Sequence, residues 1–106
     1  MKDILNDNFR NDLKEDYCLV DFYASWCGPC KRMTPELENF SERNSDIEVF
    51  KVNIEDYNAL SSEFQIRAVP TLVFLKREDG VYIEKKRLSG FKKCEAIKEA
   101  FESIKD

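Results

Sequence analysis

The chain has 106 residues and a formal net charge of −4, from 17 Lys and Arg against 21 Asp and Glu. This length suits one domain and is too short for two, so residues 1–106 are expected to fold as a single unit. The acidic balance speaks against a nucleic-acid or anionic-membrane surface, and no apolar run approaches the roughly 20 residues that span a bilayer. The opening Met1-Lys2-Asp3-Ile4-Leu5-Asn6-Asp7 lacks the apolar core of a secretory signal, which points to a cytoplasmic protein. Four cysteines in that reducing compartment are poor candidates for two structural disulfides. The absence of histidine removes Cys–His and Ser–His nucleophile pairs and most metal sites.

Asn6 or Asp7 can cap a short first helix in which Phe9 and Leu13 share a face. Cys18 to Tyr23 reads as a strand with apolar residues on both faces, the pattern of a buried central strand. A helix begins near Pro29, a residue favoured in the first turn. Its apolar stripe is Cys30, Met33, Leu37 and Phe40, and Pro35 inside it should kink it. Ile47 to Ile54 is a second strand, followed by a short helix with Tyr57, Leu60 and Phe64 on one side. Pro70 opens a third strand, Thr71 to Lys76. Asp79-Gly80 is a hairpin turn leading into Val81 to Leu88, and Gly90 ends that strand. The last helix carries Cys94, Ile97, Phe101 and Ile104 on one face. Strands alternating with helices imply parallel pairing in the first part, and the turn-linked final pair must be antiparallel. The fold class is α/β: a central mixed sheet with parallel strands plus a C-terminal antiparallel hairpin, flanked by about four helices.

Chemistry concentrates in Trp26-Cys27-Gly28-Pro29-Cys30, placed between a strand and a helix. Two cysteines at this spacing close into a small disulfide or open to a dithiol, and the strand–helix setting is that of a redox site. Unpaired N–H groups at the helix start stabilise a thiolate at Cys27. Cys30, one turn further on the apolar stripe, becomes the shielded resolving thiol, and Cys27 the exposed nucleophile. A zinc knuckle is the competing reading. It needs four ligands, and neither Cys18 nor Cys94 has knuckle spacing. Those two read as small apolar core residues, although a position near a helix start allows Cys94 a regulatory role. Asp21, set among apolar neighbours, is either a surface acid on a partly exposed strand, which composition slightly favours, or a buried carboxyl of raised pKa that carries protons. Lys51 reads as a solvated lysine on an alternating strand. Sequence physics alone makes the Val69–Pro70 bond trans.

The chain resembles the thioredoxin family over nearly its whole length. The likeness rests on Val20-Asp21-Phe22-Tyr23-Ala24, Trp26-Cys27-Gly28-Pro29-Cys30-Lys31, Pro35, Lys51-Val52-Asn53-Ile54, Ile66-Arg67-Ala68-Val69-Pro70-Thr71 and Gly90. It implies the thioredoxin fold, a cis peptide before Pro70, and reduction of protein disulfides. Cys27 attacks and Cys30 resolves, Asp21 carries the proton and Lys51 pairs with it. Trp26, Gly28, Pro29, Val69, Pro70, Gly90 and Phe91 form the substrate rim. Gly28-Pro29 marks the reducing members of the superfamily. The resemblance implies no bound cofactor beyond the Cys27–Cys30 disulfide itself. The expected partners are disulfide-containing cytoplasmic clients and a thioredoxin reductase that supplies flavin and NADPH; the expected state is a monomer. Two alternatives share the fold: a binding subunit of a larger assembly, and a thiol oxidase or isomerase domain. Tyr23 departs from the tryptophan frequent at its position. The segment from Lys76 to Leu88, longer than in common bacterial members, is expected to extend the hairpin away from the site.

Overall fold

The computed structural model describes residues 2–3 and 9–105. In chain order these form β1 (Lys2–Asp3), a 3-10 turn (Phe9–Asp12), β2 (Tyr17–Tyr23), α1 (Gly28–Arg43), β3 (Ile47–Asn53), α2 (Asn58–Glu63), β4 (Thr71–Glu78), β5 (Val81–Ser89) and α3 (Cys94–Ile104). The five strands make one sheet in the order β1-β3-β2-β4-β5. β1 and β2 both run parallel to β3, while β4 is antiparallel to β2 and to β5. The sheet is mixed as expected, but antiparallel pairing is not confined to the hairpin: β4, although it follows a helix, runs antiparallel to β2.

Two differences from the expected elements have local causes. The described residues hold three α-helices rather than about four, because the segment around Phe9 closes only a four-residue 3-10 turn. Its Phe9 and Leu13 are nevertheless buried together, so the shared face is right; the proposed cap at Asn6 or Asp7 lies outside the described residues. The two-residue β1, with Lys2 opposite Phe50 and Asp3 opposite Lys51, is too short to leave a period in the sequence. α1 holds Pro35 within its Gly28–Arg43 span, as expected, and the missing N–H leaves the Lys31 carbonyl without its helical donor.

Strand β2 is buried along almost its whole length. Its alternation feeds two separate cores. Cys18, Val20 and Phe22 pack with Phe50, Val52, Leu60, Phe64, Val73 and Leu75 on the α2 face. Leu19 points the other way, beneath α1 and α3, among Met33, Leu37, Phe40, Leu72, Phe74, Ile97 and Phe101. The helical stripes read from the sequence are the stripes that bury: Cys30, Met33, Leu37 and Phe40 on α1, and Cys94, Ile97 and Phe101 on α3. Phe101 ties the second core together, meeting Tyr17 and Phe40 edge-on at 5.3 and 5.8 Å between ring centroids.

The β4–β5 hairpin turns at Asp79 and Gly80, whose φ values of 52° and 80° suit an Asp-Gly two-residue turn. That turn lies at the end of the hairpin opposite Thr71 and Ser89, which pair at the other end. A register shift near Phe74 and Leu75 twists the edge.

Phe101 is fully buried. Phe101→Ala is expected to cost about 3–5 kcal/mol in urea unfolding, through lost burial and an unfilled cavity.

Candidate active site

The end of β2 and the start of α1 place the cysteine pair. Cys27 is the residue before the first turn of α1, with extended backbone at φ −87° and ψ 110°. Its N–H donates to the Ala24 carbonyl at 3.2 Å, and its own carbonyl accepts from Lys31 N–H at 3.3 Å. Pro29 occupies the first turn, where a missing N–H removes no helical bond. Cys27 and Cys30 are joined in a disulfide with their Cα atoms 5.3 Å apart. The Cys30 N–H donates to Cys27 Sγ at 3.1 Å. A helix start therefore points a backbone donor at this sulfur, the arrangement that stabilises negative charge there.

Burial corrects one expectation. Cys27 is not exposed in this disulfide form: both cysteines are 4% accessible. What separates them is position, one preceding the helix and the other a turn inside it. Ala24, Cys27 and Cys30 form a small apolar cluster against which Tyr23, Ile54 and Val69 pack. Ile54, read from the sequence as a strand end and as part of the family likeness, was not among the candidate site residues. It follows the end of β3, where strand periodicity has ceased, and its N–H is held by the Tyr23 carbonyl at 2.9 Å.

The residues expected at the rim come from three distant segments. Thr71 opens β4 opposite Phe22 at the end of β2, and Ser89 closes β5 opposite Thr71. The Val69–Pro70 peptide is cis, as the family likeness implied and local sequence physics did not. Gly90 N–H donates to the Pro70 carbonyl at 2.9 Å, and Thr71 Oγ1 to the Ala68 carbonyl at 2.7 Å. Gly90 has φ +83°, a conformation that favours glycine. Trp26 is 68% exposed and Phe91 39%, two large apolar side chains presented to solvent.

Asp21 lies on β2 in register with Lys51 of β3 and Leu72 of β4. It is 2% accessible, and its Oδ1 has no hydrogen-bond partner among the described residues. Burial pushes its pKa up from 3.8 to about 7, while the charge of Lys51 pulls it down. The surface-acid reading of Asp21 is therefore set aside. Lys51 acts on it through space: the two make no ion pair, and the Lys51 ammonium instead sits 4.8 Å from the centroid of the Tyr23 ring. Asp21, Cys30, Lys51, Tyr23 and Thr34 line one cavity of about 220 Å³, room enough for water between the carboxyl and the inner sulfur.

The Thioredoxin family model matches residues 1–103. The chain belongs to the thioredoxin family. A thioredoxin of Chlamydia caviae is 34% identical over 97 residues, covering 92% of this chain and 91% of that protein. One from Mycoplasma genitalium is 42% identical over 73 residues, 69% of this chain and 68% of that one. Among solved structures, Trichomonas vaginalis thioredoxin superposes with a TM-score of 0.87 at 28% identity, covering 99% of this chain and 97% of that one. With the Cys27–Cys30 disulfide in place, the chain is a thiol–disulfide oxidoreductase of the thioredoxin fold.

The remaining thiols of this thioredoxin lie elsewhere. Cys18 is in the α2-face core, where burial and the nearby Glu48 carboxylate push its pKa far up. Cys94 is buried at the start of α3, its N–H donating to Glu36 Oε1 at 2.7 Å. Neither joins the Cys27–Cys30 cluster, and among the described residues no three His, Cys, Asp or Glu side chains converge as a metal site.

The pKa of Asp21 sets a pH dependence. The folded chain binds this proton more tightly than the unfolded one, so stability falls as pH rises from about 4 and the loss is complete above about 7. A rise of that size corresponds to about 4 kcal/mol. In urea unfolding, Asp21→Asn is expected to stabilise the protein by up to that amount at pH 8 and to have little effect at pH 4. An equal effect at both pH values would remove the assignment.

Proposed function

We propose that this single-domain thioredoxin, spanning residues 1–106, reduces disulfides of cytoplasmic proteins. Its partners are disulfide-bearing clients and a flavin-dependent thioredoxin reductase that returns electrons from NADPH. The observation that carries this reading is the placement of the Cys27–Cys30 pair at the start of α1, with the buried carboxyl of Asp21 and Cys30 on one cavity.

In the reduced protein the N–H groups at the head of α1 favour the thiolate of Cys27, which makes it the nucleophile. The Cys27 thiolate attacks one sulfur of a client disulfide. A Cys27–client disulfide forms and the second client sulfur leaves as a thiolate, which takes a proton. Cys30 then loses its proton towards Asp21, by way of water in the cavity, and attacks Cys27 Sγ. The Cys27–Cys30 disulfide closes and the first client sulfur departs as a thiolate, which takes a proton from solvent. Two electrons and two protons have passed to the client. Lys51 tunes the carboxyl through its charge.

The rim supports the same reading. Val69, before cis Pro70, packs on the cysteine cluster and offers backbone groups to an extended client segment. Trp26, Gly28, Pro29, Gly90 and Phe91 complete the surface on which that segment lies.

Insulin reduction driven by dithiothreitol tests the proposal. Cys27→Ser is expected to fall to the uncatalysed rate, and Cys30→Ser to accumulate the client as a mixed disulfide on Cys27. Alkylation of the native reduced protein should label Cys27 well before Cys18 and Cys94. Undiminished turnover by Cys27→Ser would remove the mechanism.

A further inference from the structure

A second concavity adjoins the cysteine pair and plays no part in the exchange chemistry. It is an open groove of about 520 Å³ along α2, with Ile54 and Ile66 as apolar floor, Asn58, Ser62 and Gln65 as polar walls, and Arg67 beside them. The groove meets the redox cluster through Ile54. Ile54 lines the groove and also packs on Ala24, Cys27 and Cys30; Val69, two residues beyond Arg67, packs on the same cluster.

Arg67 is the one charged residue among those lining the groove. It is exposed and, among the described residues, forms no ion pair or side-chain hydrogen bond. Three of the other five arginines are neutralised, Arg10 by Glu63, Arg77 by Asp16 and Arg87 by Glu84, and neither of the remaining two, Arg32 and Arg43, lines this groove. The acids nearest the groove are engaged or outside it. Both oxygens of Glu63 take Arg10, at 2.6 and 2.9 Å. Glu55 accepts from Ser25 Oγ at 3.1 Å, and Asp56 is exposed but does not line the groove. The backbone leading to Arg67 is held unusually. Gln65 has φ 53°, a left-handed conformation rare outside glycine, and the Gln65 and Ile66 N–H groups are bound by Ser62 and Ser61 carbonyls at 3.0 Å.

We infer that this groove is a client subsite in which Arg67 selects an acidic side chain a few residues from the disulfide under attack. The inference rests on the proposed role of Cys27 and Cys30 and names the clients that role prefers. A planar guanidinium recognises a carboxylate with two parallel hydrogen bonds, and amide and hydroxyl groups on the walls add donors. In a chain of net charge −4, an acidic client is repelled at long range. A local unpaired cation offsets that repulsion where the client must dock and sets the direction from which it enters.

The test uses disulfide-linked peptides that differ only in one residue, Glu, Gln or Lys, moved stepwise away from the cystine. The wild type is expected to reduce the best-placed Glu peptide with kcat/KM about fivefold above its Lys counterpart at low salt, the range of one exposed ion pair. The preference should shrink towards unity in 0.5 M salt, as screening requires. Arg67→Gln should erase it and Arg67→Glu reverse it. The ratio between peptides is read within each protein, so a change in overall activity does not disturb it. A Glu-to-Lys ratio that is the same in wild type and Arg67→Glu would overturn the subsite. A wild type that turns over none of the peptides would instead overturn the reading of the cysteine pair.

Discussion

Strand β2 is the constraint on which the molecule depends. It is hydrogen-bonded on both edges, to β3 and to β4, and its residues are buried on both faces. Successive side chains point to opposite faces of a strand. Cys18, Val20 and Phe22 therefore supply one core, and Leu19 and Asp21 go to the side covered by α1. The same strand delivers the chain to Ala24 and Cys27, where the helix begins. One rigid element thus sets the position of the sulfur pair and the depth of the carboxyl behind it.

Register then brings together what the chain keeps far apart. Because β4 runs antiparallel to β2, its first residue lies beside the last turn of β2. The cis peptide before it arrives at the cysteine cluster. Because β5 returns antiparallel to β4, Gly90 reaches the same end of the sheet. Nothing flexible is needed to assemble the site; it is a by-product of strand pairing around one central element. The hairpin turn at Asp79-Gly80 is carried to the far end by the same geometry.

The site also holds an electrostatic conflict that a purely structural protein would have removed. A carboxyl buried to 2% with an unpartnered oxygen opposes folding once ionised. Lys51 eases this by charge alone, its ammonium occupied with the face of Tyr23. The two surplus thiols show the opposite treatment. Cys18 and Cys94 are absorbed into the hydrophobic cores as small apolar groups. A helix start and a cavity meet the Cys27–Cys30 pair, whereas burial favours the neutral thiol at Cys18.

Local pattern was enough to place the long elements. The three- and four-residue spacings of Met33, Leu37 and Phe40, and of Ile97 and Phe101, specify which helix faces bury, because a helix has one period and one apolar stripe. The cysteine spacing before a helix-favouring Pro29 was likewise legible, since a helix start is a local property. The tertiary structure decided what depends on distant neighbours. The Val69–Pro70 bond is cis, which no local pattern specified, and the Pro70 carbonyl accepts from Gly90 N–H. The two-residue β1 exists only because Phe50 and Lys51 of β3 offer an edge. The first segment stops at a 3-10 turn where a helix was expected. Cys27 is covered by residues from other segments, and Lys51 turns to an aromatic ring on the adjacent strand. Asp21 stood between surface and interior on composition alone. Only packing on both faces of β2 determines how much water it loses, and with that its proton affinity.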